Sequence, residues 1–131
     1  MIRPSGFFPV FVMLLLGACA PSAVRDGSEP VQVRGQSEAT LKAAYSASKL
    51  IWHTVQNQGR CRDGVAFIDR RVLERSPDFN KDAAGQIALG SVTERWDANG
   101  CGKIFPFSVK FAADGKGGTD IYTSPIKEEW K

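Results

Sequence analysis

The stretch from Ser91 to Thr123 constrains this chain most. Two β-rich runs flank Asn99-Gly100, and the second is followed by an Asp-Gly-Lys-Gly-Gly turn and a third run, Thr119 to Thr123. An Asn-Gly pair between such runs is the strongest short-range hairpin signal, because a type I′ turn needs positive φ at both central residues. Phe105, Phe107, Val109 and Phe111 alternate at period two and so share one face of a strand. A chain that carries this pattern must bury one side of a sheet and find something to cover it.

The cover is supplied upstream. Leu41, Ala44, Tyr45, Ser48, Ile51, Trp52 and Val55 recur at three- and four-residue spacing and form one helical stripe. Lys42, Ser46, Lys49, His53 and Gln56 form the opposite, polar stripe. Ser37 is a fitting N-cap, Glu38 suits the first turn, and Asn57 with Gly59 offers a stop near Gln58. Helix plus sheet predicts an α+β domain over residues 37–131. In it, one amphipathic N-terminal helix packs on an antiparallel meander of about three to four strands.

Between helix and hairpin the pattern is ambiguous. Val65 to Ile68 reads as a short strand after Asp63-Gly64, and Arg70 to Glu74 as a solvated helical turn with an i,i+4 ion pair. Lys81 to Ala84 suggests one further helical turn, and Gly90 a bulge before the hairpin.

A two-residue Asn99-Gly100 loop predicts the pairs Ala98–Cys101, Trp96–Lys103, Glu94–Phe105 and Val92–Phe107. Glu94 then points inward and needs a partner, for which Lys103 is the near diagonal candidate. The second loop predicts Phe111 opposite Ile121 and Ala113 opposite Thr119. The other sheet face carries Thr93, Arg95, Ile104, Pro106, Ser108, Lys110, Asp120 and Tyr122. Arg95, Lys110 and Tyr122 are the candidate partner-binding residues, since Arg and Tyr are enriched at binding hot spots.

The amino terminus bears on location. Arg3 precedes an apolar run from Phe7 to Leu16, interrupted only by Pro9. The run is too short to span a bilayer and fits the core of a signal peptide. Leu16-Gly17-Ala18-Cys19 then resembles the lipobox of bacterial lipoproteins. That resemblance implies removal of a signal peptide, residues 1–18, and attachment of diacylglycerol and a further acyl chain at Cys19. Ala20, where retained lipoproteins usually carry Asp, implies the outer membrane, with the domain facing the periplasm or the cell surface. Several acyl chains anchor stably where one does not. Residues 19–36, with Pro21, Gly27, Pro30 and Gly35, read as a flexible tether reaching roughly 20–25 Å. The alternative for Val31 to Val33 is a short edge strand.

Cys61 and Cys101 remain once Cys19 is acylated, and an even pair in an oxidising compartment predicts a disulfide. Loss of residues 1–18 removes only Arg3 from the charges, leaving 16 basic against 14 acidic side chains. With no basic stripe interleaved with aromatics, nothing points to nucleic acid. His53, the single histidine, falls on the polar stripe; with Cys61 and Cys101 it lacks a fourth zinc ligand, so no metal or cofactor is expected. The run Trp96…Cys101-Gly102 before an alternating strand is similar to stretches in small bacterial envelope proteins, a likeness that implies no activity. The reading is a lipid-anchored envelope module that binds another envelope protein. The alternative is a small envelope enzyme acting on cell-wall or lipid material, with Glu94, Asp97, Asp120 or His53 converging in one pocket.

Overall fold

The computed structural model describes residues 31–130. The proposed signal peptide, Cys19 and most of the tether lie outside the described residues. In chain order the elements are β1 (Gln32–Gly35), α1 (Leu41–Asn57), β2 (Phe67–Arg75), β3 (Asn80–Lys81), β4 (Ile87–Leu89), β5 (Ser91–Gly100), β6 (Lys103–Ala113) and β7 (Thr119–Pro125). A 3-10 turn, Lys127–Glu129, follows. Five strands form one sheet in the order β1-β2-β5-β6-β7, and β3 with β4 forms a separate ribbon.

This overturns the expected α+β meander of three to four strands. Among the described residues strand outweighs helix, 46% to 20%, and the sheet is mixed, because β1 runs parallel to β2. The edge strand β1 and the extension of the expected Val65–Ile68 strand into β2, which starts at Phe67 and runs to Arg75, both have a physical origin. β1 lies inside the stretch read as tether, where the edge-strand alternative applies. Val31 is buried and Val33 packs against the core, which is enough to seat a short edge. Parallel pairing needs a long crossover, and α1 provides it between β1 and β2. β2 runs on through Arg70–Glu74, so the expected helical ion pair does not form. In strand geometry Ile68, Arg70 and Val72 share the helix-side face, opposite Ala98, Trp96 and Glu94 of β5. The expected helical turn at Lys81 is instead the β3–β4 hairpin, closed by Asp82 Oδ1 accepting from the N–H groups of Ala84 and Gln86.

α1 begins later than Ser37 predicts. Thr40 is the N-cap, its Oγ1 accepting from Ala43 N–H at 3.2 Å. The buried face is Ala43, Ala44, Ala47, Ser48, Ile51, Trp52 and Val55. Leu41 is 90% exposed and Tyr45 is partly exposed, so the stripe is rotated at its first turn. Small Ala43 and Ala47 let the helix lie close to the sheet, where larger side chains would hold it off. The core is completed by Val92, Trp96, Phe107, Val109 and Phe111, all fully buried.

The first hairpin turns two residues later than predicted. Gly100 pairs with Lys103, and the turn is Cys101-Gly102, with φ of 53° and 70°. Those are the positive angles of a type I′ loop, here with a cysteine accepting the left-handed position. Gly100 is needed elsewhere: a Cβ there would come within 2.4 Å of the Gly64 carbonyl oxygen. Asn99 stays in the strand, where its carbonyl accepts from Ala66 N–H at 2.7 Å. The observed pairs are therefore Ala98–Phe105, Trp96–Phe107, Glu94–Val109 and Val92–Phe111. Each partner moves by four residues, an even number, so every side chain keeps its predicted face. The second hairpin keeps the predicted pairs Phe111–Ile121 and Ala113–Thr119.

Cys61 and Cys101 form a disulfide across a separation of 40 residues. It joins the segment after α1 to the β5–β6 turn rather than to the sheet's inner face. Closing a loop of that length is worth roughly 4 kcal/mol by the chain-entropy argument. Cys61→Ser and Cys101→Ser are each expected to lose roughly 2–4 kcal/mol in denaturant titration of the oxidised protein, by similar amounts.

Candidate functional site

Two arrangements of polar side chains stand out, one on each side of the sheet. On the helix side, Glu94 is fully buried. Its partners are not Lys103, which begins β6 in an exposed position. Glu94 Oε1 accepts from Ser37 Oγ at 2.7 Å and from Trp96 Nε1 at 2.8 Å. Oε2 accepts from the Glu38 backbone N–H at 2.7 Å. The carboxylate thus ties the segment before α1 to the centre of the sheet. A buried carboxylate needs such donors, and here three converge on it.

Arg70 stands beside this group, with its guanidinium 5.4 Å from the Trp96 ring and its Nε donating to the Arg34 carbonyl at 3.2 Å. Burial pulls its pKa down, and the charge of Glu94 opposes that shift. Glu38 turns outward and meets Lys81 and Arg75. Hydrogen bonds from Lys81 first, then Arg75, hold its carboxyl below the ordinary range. A depressed folded pKa stabilises above the unfolded value, and that contribution is lost as pH falls through the folded one.

On the other face, a row of charges crosses the strands. Arg34 pairs with Asp69 at 2.9 Å across β1 and β2. Arg71 lies opposite Arg95, and Asp69 opposite Asp97. Like charges directly opposed are unfavourable, so each needs relief. Arg95 finds it in Asp97 at 3.0 Å and Glu129 at 2.7 Å. Those carboxylates, Glu129 first, raise its pKa and hold it charged. Arg95 therefore fastens the carboxy-terminal turn. Trp130 seals the same end of β6: its Nε1 donates to the Pro106 carbonyl at 3.1 Å, and its ring meets Phe105 and Phe107.

Of the three predicted partner-binding residues, the register brings Lys110 and Tyr122 together as a directly opposed pair on β6 and β7. Lys110 is exposed, and Tyr122 is 55% exposed. Arg95 lies one strand away on the same face, opposite Ser108, and is engaged within the chain. Sequence reading placed Ser37 and Glu38 at the helix start but missed their contacts with Glu94, and it missed Glu129 altogether. Their contacts join positions 34 to 57 residues apart, and no local pattern encodes such pairings. The one available signal was the inward parity of Glu94, which demanded partners without naming them.

The residues that an enzyme reading would gather do not converge. Glu94 is on the helix face and Asp97 on the opposite one. Asp120 lies opposite Ala112, six residues along β6 from Pro106, the partner of Asp97. His53 is exposed on α1, edge-on to Trp52. Among the described residues no group of three or more His, Cys, Asp or Glu side chains is placed to hold a metal ion. A cleft of about 290 Å³ opens between the first turns of α1 and the β6–β7 loop, lined by Lys42, Ser46, Gln86, Gly117, Thr119 and Ile121. No helix among the described residues is long and apolar enough to cross a membrane. The chain matches no family model, no curated protein and no solved structure.

Proposed function

We propose that this chain is a bacterial envelope lipoprotein, exported, cut before Cys19 and acylated there. Its sheet acts as an accessory module that binds another envelope protein. The lipobox-like run Leu16–Cys19 supports the anchor, and the Cys61–Cys101 bond suits an oxidising compartment. The observation that carries the binding role is the uncovered sheet face. α1 covers one side only, and the other presents Lys110 beside Tyr122, with Ile104 also exposed. Tyr offers rigid contact area and Lys a charge, the mixture found at the centre and rim of interfaces. Arg95 serves this surface by holding the turn at Glu129 in place.

The test is site-specific photocrosslinking of the full chain in its native envelope. A crosslinker at Lys110 is expected to give a discrete adduct, and one at Lys49, on the outer stripe of α1, is not. Tyr122→Ala should reduce the Lys110 adduct severalfold while leaving the melting temperature nearly unchanged. An adduct from Lys49 alone, or a Lys110 adduct indifferent to Tyr122→Ala, would contradict the assignment of this face.

A further inference from the structure

The sheet has two edges, and they are unlike. β1 is four residues long and carries Arg34. Short length and charge are the usual protections of an edge. β7 is seven residues long, Thr-Asp-Ile-Tyr-Thr-Ser-Pro, with no lysine or arginine. Its pairing with β6 runs without a bulge, and proline enters only at its last position.

The direction of its free backbone groups follows from the ladder. At one end Asp114 N–H donates to Gly118 C=O at 3.1 Å, and at the other Ile126 N–H donates to Pro106 C=O at 2.9 Å. Antiparallel ladders alternate, so Lys110–Tyr122, Ala112–Asp120 and Ser108–Ser124 are also hydrogen-bonded pairs. The N–H and C=O groups of Ile121 and Thr123 therefore point away from β6. Among the described residues no backbone hydrogen bond to another element reaches them.

Apolar surface flanks this edge on both sides. Tyr122 stands on the open face. On the other side, Ala43 and Ser46 line the same cleft as Thr119 and Ile121, so that side of α1 looks toward β7. Leu50, one turn beyond Ser46, is 49% exposed there.

We infer that β7 pairs with β7 of a second copy of this chain, antiparallel and centred on Tyr122, joining two sheets into one of ten strands. The strand is complementary to itself in this register. Ile121 and Thr123′ exchange both backbone bonds, as do Thr123 and Ile121′, and Thr119 N–H donates to the Pro125′ carbonyl, the one backbone bonding group proline retains. Tyr122 faces Tyr122′ in the closer, non-hydrogen-bonded kind of pair, where aromatic side chains interact best. Asp120 faces Ser124′, so no like charges are opposed. A two-fold axis normal to the sheet puts both copies of α1 on one side, with Leu50 of each turned toward the shared edge. The two open faces become one platform. The self-pairing stands independently of lipid attachment and of any other partner.

Two cysteine variants of the full chain, made in its exporting host, test this. The spacing of about 4.5 Å between Cα atoms of a non-hydrogen-bonded pair lies within the range of about 4.4–6.8 Å that a disulfide spans. Tyr122→Cys is expected to give a reducible homodimer. Arg71→Cys, also exposed on the same face but three strands away, is expected to stay monomeric. Sedimentation of the detergent-solubilised wild type should show a dimer. Thr123→Pro, which removes an outward N–H and no bond to β6, should show a monomer that melts cooperatively. If that variant does not fold, Tyr122→Lys replaces it and should also be monomeric. A monomeric wild type, equal cross-linking from both cysteine variants, or cross-linking of Tyr122→Cys only to other proteins would overturn the inference.

Discussion

Glu94→Ala is expected to destabilise the protein by about 3 kcal/mol or more. The substitution removes the acceptor of three hydrogen bonds and leaves Ser37 Oγ, the Glu38 N–H and Trp96 Nε1 facing a cavity. Each buried donor left without a partner costs roughly 1–3 kcal/mol, and the three share one site, so the terms do not simply add. Glu94→Gln keeps the volume and one oxygen, and turns an amide N–H₂ toward a donor; its loss should be smaller than that of alanine. Denaturant titration of both variants measures the difference. The Ser37→Ala single variant and the Ser37→Ala, Glu94→Ala double variant complete a cycle. Because Ser37 and Glu94 act as one unit, the double variant should cost less than the sum of the two. Additive losses would mean that the carboxylate does not hold the segment before α1.

Phe107→Ala is expected to cost about 3–5 kcal/mol, as for other fully buried aromatic residues. Phe107 lies opposite Trp96, meets the Trp130 ring at 5.6 Å and has no exposed surface. Truncation opens a cavity between the sheet and the carboxy-terminal turn. Trp130 fluorescence should therefore shift along with the melting temperature. Ile104→Ala, on the opposite face of the same strand and half exposed, should change stability by no more than about 0.5 kcal/mol. Similar losses at the two positions would mean that the faces of β6 are wrongly assigned.

Much of this was legible from residue pattern. The alternation Phe105, Phe107, Val109, Phe111 assigned the inward face of β6 correctly, since a period of two survives any even slip of the turn. Turn composition placed the second hairpin, because Asp114 accepts from the N–H groups of Lys116 and Gly118 within its own loop. Cysteine parity gave the disulfide. Composition failed at β1 and β2. A strand of four residues needs few apolar side chains when its neighbour supplies the ladder, and Gln32–Gly35 looked like linker. Arg70 and Arg71 read as solvated because charged residues are rarely buried. Arg70 instead lies against Trp96, in a place only the neighbouring strand defines. The shift of the first turn depended on Gly64 approaching Gly100, a long-range contact that no turn propensity contains.

The candidate surface was legible in part. Parity put Lys110 and Tyr122 on one face, and pairing them across β6 and β7 required only the second loop. Arg95 was visible as a residue but not as a spent one, because its partner Glu129 comes from a turn beyond the last strand.

Intact mass and proteolytic mapping of the full-length product, extracted from the envelope without reduction, test the proposal that this is an exported, lipid-anchored, oxidised envelope protein. The expected product begins at Cys19, carries acyl mass on that residue alone, and yields one cross-linked peptide pair containing Cys61 and Cys101. A product that begins elsewhere, or an unmodified Cys19 with free thiols at positions 61 and 101, would contradict it.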